Sequence, residues 1–353
     1  ADLPDGVPEL EEPVRVAQWL DKHRGEVTLS EERRAAGRKK AADPDAQRAR
    51  EAERHSRILM GLDQLDRWLD DLIRGGLAGL DGAAGALWEA QARRLVDAQA
   101  GGLAGRVRRL GEIPGSGPEW PTRLLEALGR LALLSHAYRR LEALPEALRA
   151  DVRGMVGWSV RQDAVVAHGD RVQDTWRVVG QREEQDAHVT IQRSWLTGRQ
   201  SGRVAMVLQF AAGPRPYAEP MMPGTAFEGE LAFWPGAERI RALVHTRVGA
   251  VRGIGSSWSG FADFEAFLED TAARLALQPW LSRVPCVMGA VVPRQDKAGR
   301  FSVVDTGGQA LPLAGRRHYT LLAASGGDTV PLMAEWDGHA LTALGTFAEG
   351  RFI

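Results

Sequence analysis

Residues able to carry chemistry are present but scattered. The eight histidines, His23, His55, His136, His168, His188, His245, His318 and His339, show neither H-x-H nor H-E-x-x-H spacing, the patterns that set two imidazoles on one metal. The single cysteine, Cys286, sits in the apolar run VPCVMGAVV with no His, Lys or Arg beside it to favour a thiolate, so it reads as a small buried apolar residue. No G-x-S-x-G occurs; GWSVR at Gly157 and GSSWSG at Gly255 lack the second glycine at the offset a nucleophile elbow needs. GIGSSWSG, from Gly253 to Gly260, would place backbone amides ahead of a helix starting at Phe261, but it lacks the lysine of a phosphate loop and reads as a linker capped by Ser257 or Ser259. The expectation is a chain with no catalytic residue, no cofactor and no metal ligand, and a protein that is not an enzyme.

What remains is chemistry of binding. Basic clusters lie at Arg33 to Lys40, Arg93-Arg94, Arg106 to Arg109 and Arg139-Arg140, alternating with carboxylates. Eleven tryptophans are distributed along the chain, most within apolar patterns, while Trp120 and Trp258 fall in Gly/Pro loops where an indole can anchor a partner. The candidate nucleic-acid or partner contacts are therefore Arg33, Arg34, Arg38, Lys39, Lys40, Arg48, Trp120 and Trp258.

Bulk composition bounds these readings. A chain of 353 residues with 44% hydrophobic residues is long enough for two ordinary domains. Its formal net charge of -1 gives no global field for a polyanion, so basic contacts must be local. One cysteine excludes an intramolecular disulfide and a multi-cysteine zinc site, which fits a reducing compartment. With no apolar run of about 18 residues and no signal-peptide pattern at the acidic start, the expected location is the cytoplasm, with no membrane partner.

The elements follow from periodicity. Residues 1–42 read as a polar, charged arm with a short helix at Val14 to His23. Asp43 to Gly76 reads as one long helix: Asp43 can cap, Pro44 fits the first position, and Ile58, Leu62, Leu65, Leu69 and Leu72 form a seam widened by Leu59, Trp68 and Ile73. After a turn in GGLAGLDGAAG, further helices are marked by Leu87 to Val96, Leu103 to Leu110, Leu124 to Leu141 and Glu146 to Val156, so 43–160 is an α-helical bundle or array with no fixed repeat.

Near Asp174 the period falls to two. Residues 170–255 read as an antiparallel β-sheet region, a meander in which Val189, Ile191, Arg193 and Trp195 share one strand face and Thr190, Gln192 and Ser194 the other. Residues 256–353 read as one helix from Phe261 to about Leu277, then strands at VPCVMGAVV, FSVV, YTLLAA, VPLMAEW and HALTAL forming a small barrel, with Asp337-Gly338 as a type I′ hairpin signal. The fold class is α+β: an N-terminal helical bundle or array followed by a mainly antiparallel β domain with one inserted helix.

One resemblance adds to this. RVAQWLDKHR, the charged Ala/Arg-rich spacer, DPDAQRAREAERHSRILMGLDQLDRWLDDLIRGGLAGL, WEAQARRLVDAQAGGLAGRVRRLGEIP, WPTRLLEALGRLALLSHAYRRL and LPEALRADVRGMVGWS resemble the region that follows the zinc motif in bacterial SWIM zinc finger family proteins. RVQDTWRVVGQREEQD, VTIQRSWLTGRQSGRVAMVLQFA and PGTAFEGELAFWPG look like the same family's C-terminal part. The defining C-x-C…C-x-H zinc motif does not occur in this sequence, and the resemblance implies that it lies upstream of Ala1; zinc is expected only with that motif. The resemblance further implies a non-enzymatic protein-interaction scaffold, an accessory part of a SWIM protein acting with a MoxR-type AAA+ ATPase and von Willebrand factor A domain proteins. The alternative is a nucleic-acid-binding protein that uses the basic N-terminal arm.

Overall fold

The computed structural model describes residues 44–80, 85–186, 189–212, 217, 219–254, 260–315, 318–348 and 351–353. The arm, its short helix and the Asp43 cap lie outside the described residues. The chain divides into two compact units, 1–64 and 65–353, the division falling within the first helix. That helix, α1, spans Pro44–Gly75. Its first part carries the Arg48–Asp45 ion pair at 3.3 Å and an Arg57–Glu53 pair, and buries Ile58 and Leu62. Its second part buries Leu65 and Leu69, while Ile73, expected to widen the seam, is 49% exposed.

In the second unit, α2 (Ala86–Asp97), α3 (Gly101–Leu110), α4 (Trp120–Arg139) and α5 (Glu146–Val156) form the helical part. A 3-10 turn occupies Leu77–Leu80, where only a loop was expected. Each helix buries the residues its 3.6 period selects: Trp88, Ala92 and Leu95; Leu103, Val107 and Leu110; Leu124, Leu128, Leu131 and Leu134; Val152 and Val156. Trp68 meets Trp88 edge-on at 5.6 Å, and Arg139 pairs with Asp66 at 2.8 Å. Gly102 lets α3 lie directly against the end of α5, since a Cβ there would stand 2.3 Å from the Met155 carbonyl oxygen.

The β half begins with α6 (Gln162–His168), a short helix that the alternating pattern after it conceals. Five strands follow: β1 (Asp170–Asp186), β2 (Val189–Gly198), β3 (Val204–Ala212), β4 (Thr225–Phe233) and β5 (Arg241–Gly253). They are not a meander. The sheet closes in the order β1-β2-β3-β5-β4, with β1 paired to both β2 and β4 and with β3 and β5 parallel through Met206↔Arg241 and Val207↔Ala242. This is the strand order of OB-type barrels.

A second set repeats it: α7 (Phe264–Leu277), β6 (Val284–Gln295), β7 (Phe301–Asp305), β8 (Ala310–Ala314), α8 (His318–Ser325), β9 (Val330–Trp336), β10 (Leu341–Ala348) and β11 (Arg351–Phe352). Antiparallel pairs β6–β7, β7–β8, β6–β9 and β9–β10 and a parallel β8–β10 pair close the ring in the same order, with β11 added beside β10. The two barrels are a structural tandem that no sequence period announces. YTLLAA, expected as a strand, is α8, placed between the third and fourth strands. The Asp337-Gly338 turn is not type I′: among its residues only Gly338 has positive φ (99°), and I′ needs two.

The first barrel encloses Trp176, Val178, Leu196, Val207, Phe227, Leu231 and Phe233. At its polar end Gln181, Gln192, Ser194 and Gln209 are satisfied internally: Gln209 Nε2 donates to Gln192 Oε1 (3.2 Å) and the Glu219 carbonyl (2.7 Å), and Gln181 Nε2 donates to Ser194 Oγ (3.0 Å). The polar face of β2 points inward, and Ile191, Arg193 and Trp195 point out. The second barrel packs Cys286, Met288, Val291, Val303, Leu332 and Leu341 against Phe264 and Phe267 of α7.

Candidate functional site

Of the candidate contacts, Arg33, Arg34, Arg38, Lys39, Lys40 and Trp258 lie outside the described residues. Arg48 is exposed on α1 beside Asp45, and Trp120 is half-buried at the start of α4. Cys286 is fully buried, and burial pushes its thiol well up, consistent with an apolar role. Among the described residues, no three His, Cys, Asp or Glu side chains are grouped so as to hold a metal.

The structure instead assembles a cleft of about 720 Å³ within the second unit, inside the ~300–1,000 Å³ span of ordinary ligand sites. One wall is helical: Gly101, Gly105, Arg106 and Arg109 of α3, and Asp151 and Gly154 of α5, followed by Trp158. The other is the outer face of β2 and β3, with Arg193, Trp195, Met206 and Leu208, rimmed by the β4–β5 loop from Trp234 to Ile240 and by Arg241. Trp280 to Arg283, ahead of β6, close one end. The pairing Arg193↔Leu208 and Trp195↔Met206 sets these side chains on one sheet face, and Ile191↔Phe210 extends it to Phe210, 58% exposed.

Six arginines line the cleft against one carboxylate, Asp151. Three are compensated from behind. Arg193 and Arg283 face the buried Glu335 at 3.2 and 3.5 Å and Glu184 at 3.4 and 3.7 Å, and Arg239 faces Asp170 at 3.2 Å. The other three, Arg106, Arg109 and Arg241, have no carboxylate partner among the described residues. Burial, reinforced by Arg109, pushes the Arg106 guanidinium down to about 10; burial alone lowers Arg241, which stacks over Trp234 at 4.4 Å. A smaller cavity of about 270 Å³ shares Arg106, Arg109, Trp280 and Ser282 and is otherwise lined by α3, α4 and Ile113 between them.

The cleft is held open by polar joints. Asp151 Oδ2 accepts from the Ala237 amide at 2.7 Å, fixing the β4–β5 loop to α5, and a Cβ on Gly236 would meet Asp151 Oδ1 at 2.5 Å. The equivalent loop of the second barrel meets α4 through His339 Nε2 and Glu126, 3.2 Å apart. Trp280 Nε1 donates to the Arg130 carbonyl of α4 at 2.9 Å, Trp234 Nε1 to the Val160 carbonyl at 3.2 Å, and Trp158 Nε1 to Tyr138 at 3.0 Å. The barrels join through Trp195, whose Nε1 donates to Glu335 Oε1 at 2.7 Å, beside an apolar cluster of Val179, Ile240, Met333 and Leu344.

Spacing along the chain does not announce this constellation, because its members come from six separated stretches: Arg106 and Arg109 read only as part of a basic run, and Trp195 and Trp234 only as packing. The signal available was the spacing of Arg106 and Arg109, three apart and so on one helical face, with glycines at 101, 102 and 105 beside them.

Residues 53–156 match the family model described as the SWIM-associated four-helix bundle domain. No curated protein and no solved structure matches the chain. The helical part is thus similar to a SWIM-associated domain, and the match ends at α5, before the first barrel. Among the described residues no helix is long and apolar enough to cross a membrane.

Proposed function

We propose that the chain is a non-enzymatic interaction scaffold, the accessory part of a SWIM zinc finger protein acting with a MoxR-type AAA+ ATPase and von Willebrand factor A domain proteins. The observation that carries this reading is the SWIM-associated four-helix bundle match over residues 53–156. It is supported by the way the helical part grips the β4–β5 loop through Asp151 and the β9–β10 loop through Glu126, an arrangement suited to presenting fixed surfaces. Zinc belongs to this proposal only through a C-x-C…C-x-H motif upstream of Ala1.

Affinity capture with the full chain from its source cells tests the reading. Recovery of an AAA+ or von Willebrand factor A protein is the expected result, and reproducible recovery of neither contradicts it.

A further inference from the structure

We infer that the cleft between α3, α5 and the outer face of β2 and β3 is a binding site for single-stranded nucleic acid. This goes beyond the scaffold reading and does not depend on which protein partner that reading supplies.

Charge selects the class of ligand. Arg106, Arg109 and Arg241 face the cleft without carboxylate partners among the described residues, and Arg239 is exposed at the rim, whereas Asp151 is the one acidic lining residue. Arg109, Arg239 and Arg241 are exposed and Arg106 is half-buried, so the surplus is a local cationic surface that draws a polyanion even though the whole molecule carries a net charge of -1. Guanidinium groups on both walls suit a ligand whose negative charge repeats along its length, as phosphates do.

The remaining lining selects single strands. Trp158 and Trp234 are half-buried at the cleft, each with a guanidinium over one ring face (Arg153 at 4.5 Å, Arg241 at 4.4 Å), and Phe210 continues the β3 face beyond Met206 and Leu208. Flat apolar surface beside guanidinium groups is what unpaired bases stack on, at roughly 1–3 kcal/mol per base. A duplex hides its base faces and gains nothing from these side chains. The helical wall opposite the barrel also leaves only a cleft, with bare backbone at Gly101 and Gly154, where no atom lies within 4 Å of an added Cβ. By analogy of fold alone, the outer face of the second and third strands and the 4–5 loop are the ligand surface of OB-type barrels. In the first barrel those are the surfaces that line the cleft.

The test uses the full chain, a fluorescent oligothymidylate of about 16 nucleotides, a duplex of the same length and polyglutamate. Binding of the single strand is expected to quench tryptophan fluorescence and to weaken steeply with salt. The double substitution Arg106→Ala/Arg109→Ala should weaken it at least about tenfold and lower the salt slope by about two. Gly154→Leu, placed in open space on a helix and therefore expected to fold, should weaken it by filling the cleft. Neutralising Arg33, Arg34, Arg38, Lys39 and Lys40 together should leave most of the affinity. The inference is overturned if the oligonucleotide does not bind at low salt, if polyglutamate binds and the oligonucleotide does not, if the duplex binds as well as the single strand, or if only the arm substitutions abolish binding.

Discussion

Asp151 carries two tasks at once, and they pull its proton in opposite directions. Burial raises its carboxyl from 3.8 to about 6, the Ala237 amide lowers it, and Glu238 raises it further. The folded state therefore keeps a proton that the unfolded chain releases between about pH 4 and pH 6, so this group's contribution to stability falls as pH rises through that window. Asp151→Asn keeps an acceptor for the Ala237 amide and removes the titration. Urea midpoints for the variant should lose the part of the pH 4–6 slope that Asp151 supplies, no more than about 1–2 kcal/mol once solvent screening is allowed for. An unchanged slope would mean that Asp151 does not titrate there.

Asp174 shows the opposite balance. Burial pushes its carboxyl up, but Ser201 through its hydroxyl and amide, with the Gln200 and Thr175 amides, holds it below the ordinary range and pins the β2–β3 turn. At the joint between the barrels, Glu335 is fully buried, its Oε1 accepting from Trp195 Nε1 at 2.7 Å and facing Arg193 at 3.2 Å, and its Oε2 facing Arg283 at 3.5 Å.

Elements were legible where a single period governed them. The helices of 43–160 declared themselves through Leu spacing and Pro44 at the first helix start, and their burial follows that spacing, whereas Trp120 and Pro121, read as loop, begin α4. Strand positions were legible as well, but strand order was not. A closed barrel with a parallel β3–β5 pair has the same alternation as a meander; what differs is which strands pair, and that is set by packing between residues far apart in sequence. The second barrel's α8 was hidden because YTLLAA is apolar apart from Thr320, and so short an apolar run carries no period.

One element-level device was invisible beforehand. Ordinary alternation turns Val178 to the first barrel's interior and Val179 outward beside Met333 and Leu344, and the β1–β2 register shift between Val178 and Gly180 sets Gly180 on that same outer side. Gly180 makes that approach possible: a Cβ there would lie 2.9 Å from Leu344 Cβ and 3.0 Å from Met333 Cγ. Gly180→Ala should cost about 1–3 kcal/mol, read as a lower urea midpoint, because one contact is with the fixed Cβ of Leu344. A neutral result would show that the barrels are not held at this spacing.

At the scale of the molecule, sequence and structure divide the work unevenly. The candidate contacts read from the sequence were a local charge run and two loop tryptophans. The cleft is a convergence of Arg106, Arg109, Asp151, Arg193, Trp234 and Arg241, and only the folding of the first barrel against the helices brings them together. The SWIM-associated match covers the helices alone, and the tandem of barrels lies beyond it.

The most direct measurement of the central claim is amide hydrogen exchange on the full chain with and without the oligothymidylate. Added single strand is expected to protect residues 101–109, 204–210 and 234–241 together, three stretches far apart in sequence that line one cleft, and to leave the exposed start of α1 unchanged. Protection confined to the N-terminal arm and α1, with those three stretches unaffected, would contradict it.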